Sequence, residues 1–177
     1  MPRCISDYVL LEHQELAQLL NKLSQELRSL PVTQNAPKTL ERIEKFCQQI
    51  SQTLHTHLEE EERVLYPALE EKVEGITITL DRMRHDRDAG EAAEKAFFEC
   101  LQRLEKTGKN REDVVRSGRS FVQWVRGHLL IESGRLLPLV ERRLDPETQK
   151  LVRRAMEELS HESTARIAES FPEGEQA

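Results

Sequence analysis

Two stretches of this chain repeat one another. HLEEEERVLYP, from His57 to Pro67, and HLLIESGRLLP, from His128 to Pro138, share the pattern H-x-x-x-E-x-x-x-L-x-P. The match extends upstream. Ile43, Cys47, Ile50 and Leu54 stand against Val114, Gly118, Phe121 and Val125, each 71 residues further on (43 to 114, 57 to 128). Within each copy the apolar residues recur at steps of three and four, the period of one face of an α-helix. A duplicated amphipathic helix must bury both stripes, so it needs helical partners.

Those partners are visible. Val9, His13, Leu16, Leu20, Leu23, Leu27 and Leu30 form another stripe, which ends at Pro31 and a linker, PVTQNAP. Between the two copies, a helix is expected from near Thr77 to about Lys106. Its inner face reads His85, Ala89, Ala92 and Ala96, continued by Phe97, Cys100, Leu101 and Leu104. His85 follows His13 by 72 residues (13 to 85), so the first and third helices also look related. Pro67 is expected to end or kink the second helix, and Gly75 and TGKN (Thr107 to Asn110) mark turns. Asp145 and Pro146 read as the N-cap and first position of a fifth helix. The tail PEGEQA is expected to fray. The fold class is therefore all-α, an antiparallel up-down-up-down four-helix bundle with an additional C-terminal helix. Residues 1–177 form one domain, with a bundle core at about 6–140 and the C-terminal helix at about 145–170.

Composition agrees. A third of the residues are charged, and Gly and Pro number only seven each, which suits a helical protein. The net charge of −6 gives no general reason to expect nucleic acid or an anionic membrane as partner. There is no apolar run of transmembrane length and no signal-peptide core. Cys4, Cys47 and Cys100 form no close pair and are odd in number, which points to a reducing compartment and a cytoplasmic location. Cys47 and Cys100 fall on buried stripes, whereas Cys4 is the more accessible thiol.

The stripes also decide which polar residues point inward. His57 and Glu61 continue an apolar stripe, but His55 and Glu59 do not. His55 lies about 160° around the helix from His57. It should face solvent or a rim, with Glu60 and Glu62 as surface acids. A lone histidine on an apolar stripe is more often a hydrogen-bonded core residue than a ligand. The set is different. Burying a carboxylate unpaired costs several kcal/mol, Glu61 and Glu132 both occupy apolar positions, and neither stripe carries Lys or Arg. A bound metal would supply the missing positive charge. Nitrogen and carboxylate ligands suit iron or manganese, with zinc and copper compatible by affinity. Six ligands exceed one tetrahedral zinc and fit two metals with open positions.

From His13 to Pro138 these residues resemble the hemerythrin-like, or HHE cation-binding, family. The resemblance rests on H…H-x-x-x-E…H…H-x-x-x-E and the two L-x-P tails. It implies two non-haem iron ions as cofactor. His13 and His57 would hold one and His85 and His128 the other. Glu61 and Glu132 would bridge them, together with an oxo, hydroxo or water bridge. Two positions depart from the oxygen-carrying hemerythrins. Ala89 stands where those have a second histidine on the third helix. Glu132, at i+4, replaces an aspartate placed one residue further from its histidine. Fewer protein ligands leave room for water, peroxide or another small molecule, which favours redox chemistry or sensing over oxygen carriage. Glu60 and Glu12 are weaker candidates for an extra carboxylate. Ala89, Ala92 and Ala96 read better as close packing than as a channel, and Tyr66 and Trp124 as packing rather than redox neighbours. His161 lies outside the repeat and reads as a surface residue.

Three functions follow in order. The first is reaction with a small oxidant: peroxide, oxygen or nitric oxide. The second is non-catalytic sensing or storage of oxygen or iron, which would require a protein partner for output. The third is iron donation in the repair of iron–sulfur centres. It ranks lower because the repair branch often carries an extra cysteine-bearing N-terminal domain, and only a dozen residues precede His13.

Overall fold

The computed structural model describes residues 4–170, with the backbone alone at residue 164 and at 166–170. The tail expected to fray lies outside them. Seven α-helical segments and two π-helical turns make five rods. They are α1 (Ile5–Ser29); α2 (Ala36–Glu60), π1 (Glu61–Leu65) and α3 (Tyr66–Lys72) in one continuous rod; α4 (Thr77–Thr107); α5 (Arg111–Ile131), π2 (Glu132–Leu136) and α6 (Leu137–Arg143) in another; and α7 (Pro146–Ser170). No strand occurs among the described residues. The first four rods form the bundle, and α7 packs outside against α1, α2 and π1.

Local chemistry sets the ends. The Asn35 side chain accepts from the Lys38 amide at the start of α2, with Pro37 in the first turn. Asp145 Oδ1 accepts from the Glu147 and Thr148 amides at 3.0 Å each, the expected N-cap of α7. Gly108 closes α4 in the left-handed region at φ 67°, where a Cβ would add strain. No described helix is long and apolar enough to cross a membrane.

The prolines do not end their rods. Pro67 and Pro138 sit just past π1 and π2, and the helices run on to Lys72 and Arg143. Proline has no N–H for the carbonyl four residues back, and its ring crowds that carbonyl. Each π turn takes in one extra residue and bonds across five: the Tyr66 amide reaches Glu61 O, and the Leu137 amide reaches Glu132 O. The repeat thus extends to an unusual backbone feature, and each copy of that feature begins at a candidate ligand glutamate.

Two apolar clusters fill the bundle. One holds Leu16, Leu20, Leu23, Leu27, Ile50, Leu54, Phe97, Phe121 and Val125 among others. The other holds Ile5, Val9, Leu65, Tyr66, Leu80, Met83, Leu136 and Met156. His13, His57, Glu61, His128 and Glu132 fall between them along their helices and are all buried. The site is a polar layer sealed at both ends by apolar side chains. The seam between α4 and the α2–π1 rod, by contrast, is polar: Glu94 takes Ser51 and His55, and Glu62 takes Arg84 and Arg87.

Candidate metal centre

Three of the five rods bring candidate ligands to the layer, and α4 does not contribute the histidine expected of it. His13 (α1), His57 (α2), Glu61 (π1), His128 (α5) and Glu132 (π2) converge. Glu132 Oε2 accepts from His13 Nε2 at 2.8 Å and from His57 Nε2 at 3.1 Å. His128 Nε2 lies 3.6 Å from Glu61 Oε2. One ligand atom from each of His57, Glu61, His128 and Glu132 lies within 4.8 Å of all the others.

His85 does not join them. Its side chain is 89 % exposed and faces Asp88. The relation between the first and third helices is an offset of 74, not 72. Val9, Leu16, Leu23 and Leu27 correspond to Met83, Gly90, Phe97 and Leu101, all buried. That register sets Arg87 opposite His13 and turns His85 about 200° away. Ala89, Ala92 and Ala96 consequently face solvent rather than the core. The buried small residue on this helix is Gly90, where a Cβ would lie 2.2 Å from Trp124 Cζ2.

Arg87 reaches the layer from α4 instead. Its Nη2 donates to Glu61 Oε2 at 2.8 Å and to the Tyr66 hydroxyl at 3.1 Å, and its Nη1 donates to Glu62 Oε2 at 3.0 Å. A cation therefore does pair with Glu61, from a neighbouring helix rather than the same stripe. Leu80, Met83, Arg87 and Gly90 share one face of α4, but only the first two are large apolar residues that mark it. Burial, then the Glu61 charge, holds the Tyr66 phenol above its ordinary value, so it stays protonated.

Outer contacts orient the histidines. His57 Nδ1 donates to Glu12 Oε2 at 3.1 Å, and His13 Nδ1 lies 2.9 Å from Ser133 Oγ. Trp124 stacks on His128 with ring centroids 5.5 Å apart, and its indole N–H donates to Asp86 O at 3.0 Å. Such partners fix the ring orientation that a histidine needs to present its other nitrogen to a metal. Glu12 thus serves as a brace for His57 in this arrangement, and Trp124 as packing.

With carboxylates on both ring nitrogens, His57 is held as an imidazolium. Burial lowers its pKa, but the Glu132 charge and the bonds to Glu12 and Glu132 outweigh that and hold it well above the ordinary value. Burial would raise Glu132, but the His57 charge and the bonds from His13 and His57 hold it well below the usual carboxylate range.

Glu60 departs from the surface position expected for it. It is fully buried because α7 covers that face of α2. Burial, then the Glu12 charge, pushes its carboxyl up to about 8, against partial relief from Tyr8 and Ser160. Between its ordinary value near 4.5 and about 8, folded Glu60 keeps a proton that the unfolded chain has released. Stability of the metal-free protein therefore falls as pH rises through that window, and raised His57 acts in the same direction at higher pH. Glu60→Gln is expected to make the decline between pH 5 and 8 shallower, measured by urea unfolding. An unchanged slope would contradict this account of Glu60.

Whether a cation suits the layer is decided by its unpaired atoms. His128 Nε2, Glu61 Oε1 and Glu132 Oε1 are buried without a hydrogen-bond partner. Three such atoms in one layer are costly unless something positive meets them. They belong to residues whose ligand atoms already lie together, so this donor set fits a metal ion. An all-helical bundle with a buried histidine–carboxylate layer defines a class of cation-binding bundle proteins. The chain matches the family model described as "Hemerythrin HHE cation binding domain" over residues 4–140, and it belongs to that family. No curated protein matched the chain.

Proposed function

We propose that the protein is a non-haem iron protein whose buried centre binds or reacts with small oxidants such as peroxide, oxygen or nitric oxide. The observation that carries this reading is the set of unpaired buried atoms on His128, Glu61 and Glu132. The ligands would be His13, His57, Glu61, His128 and Glu132. Imidazole and carboxylate donors without a thiolate suit iron or manganese. Every one of these residues is at most 7 % exposed, which limits any reactant to a small molecule.

Bound iron would supply open coordination positions and electron transfer. The chain supplies the rest. Glu12 and Ser133 hold the His57 and His13 rings, and Trp124 fixes the plane of His128. The apolar clusters above and below exclude bulk water from the layer. His57 must release its Nε2 proton before that atom can serve as a ligand, so loading is expected to release a proton and to weaken at lower pH.

The test is consumption of peroxide, oxygen and nitric oxide by the iron-loaded protein, compared with equal free iron. Turnover faster than free iron supports reaction. A reversible spectral change without turnover would favour sensing or storage. No effect with any of the three would refute this reading of the centre's chemistry.

A further inference from the structure

We propose that Arg87 occupies the place of a fourth histidine and restricts the centre to one metal ion per chain. This rests on the reading of the layer as a metal centre, but it changes the expected count from two ions to one.

Arg87 follows His13 by 74 residues (13 to 87), in the register that also pairs Val9 with Met83 and Leu23 with Phe97. It enters the layer from α4 as His13 does from α1. A guanidinium stays protonated and cannot ligate a metal. The only histidine on α4, His85, points into solvent.

Arg87 Nη2 lies 2.8 Å from Glu61 Oε2, the same oxygen that lies 3.6 Å from His128 Nε2. On the α1–α2 side, His13 and His57 both reach Glu132. On the α4–α5 side, one histidine and one guanidinium share Glu61. Arg87 is also anchored by Glu62 and the Tyr66 hydroxyl, and its guanidinium carbon sits 5.0 Å from the Tyr66 ring centroid. With that side chain 13 % exposed, the charge is fixed in place rather than swung out to solvent.

A second divalent ion drawn to Glu61 would also have to share that carboxylate with the Arg87 guanidinium, which holds Oε2 at 2.8 Å and repels a further cation inside a low-dielectric layer.

Anaerobic titration with ferrous iron, followed by removal of unbound metal and iron analysis, tests the count. Wild type and His85→Ala are each expected to hold one iron per chain, and Arg87→His two. Two irons in wild type would overturn the proposal, and so would an Arg87→His protein that stays at one. A loss of iron in His85→Ala would also overturn it, because it would restore His85 as a ligand. Circular dichroism checks each variant. Should Arg87→His fail to fold, the wild-type and His85→Ala counts decide alone. A wild type that binds no iron would remove the metal reading itself, an outcome distinct from binding two.

Discussion

Glu132→Gln is expected to weaken ferrous iron binding by a factor on the order of 100 or more while leaving the helical content intact. The change keeps the side-chain volume, so no cavity opens in the layer. It removes the charge that draws His13 and His57 together and replaces one carboxylate oxygen with an amide nitrogen that cannot ligate. Altering partners behind metal ligands costs roughly 10–100-fold in metal affinity, and losing a ligand that meets two histidines should cost at least as much. His55→Ala is the control. Its ring is mostly exposed and pairs with Glu94 outside the layer, so its iron affinity should match wild type. Equal losses from the two variants, read by competition with a chelator, would overturn the role of Glu132 in holding the metal.

Gly90→Ala is expected to lower the Tm by on the order of 5–10 °C and to weaken iron binding. Helix propensity alone argues the opposite, since alanine is better than glycine by about 1 kcal/mol inside a helix. The tertiary contact decides. A methyl group at Gly90 would lie 2.2 to 2.4 Å from three atoms of the Trp124 ring. That ring is rigid, stacks on His128 and is tied to Asp86, so it cannot move without disturbing the layer. Overpacking of this kind costs about 1–3 kcal/mol, and here the upper end applies. For a domain of this size each kcal/mol shifts the Tm by roughly 2–4 °C. A rise in Tm would show that propensity wins and that Trp124 has room to yield.

Glu132 and Gly90 belong to different parts of the same design. Glu132 tests which atoms meet a metal, and Gly90 tests how the rings that present those atoms are held. Both depend on helices whose faces are set by periodic apolar residues. That is why much of the centre could be read in advance. His57 and Glu61, with His128 and Glu132, lie on stripes that repeat over long stretches of sequence, so their inward direction followed from Ile50, Leu54, Phe121 and Val125. His13 followed from Val9 and Leu16 in the same way.

The third helix was less legible. Its N-terminal half, TLDRMRHDRDAGEAAE, has few apolar residues to mark a face. Matching histidine to histidine suggested an offset of 72 and brought His85 and the alanines inward. The structure uses Met83, Gly90 and Phe97 instead, which brings in Arg87. A glycine buried against a tryptophan from another helix carries no signal in a hydropathy pattern.

By itself the sequence determined the all-helical class, the duplicated helices and the inward direction of His57, Glu61, His128 and Glu132 on them, because helical period is a local property of each segment. Only the tertiary structure decided the π turns at Glu61 and Glu132, the burial of Glu60 beneath α7, and the exchange of a histidine for Arg87 beside Glu61. These depend on which neighbour covers a given face and what charge that neighbour brings. Neither is written in the period of the helix that is covered.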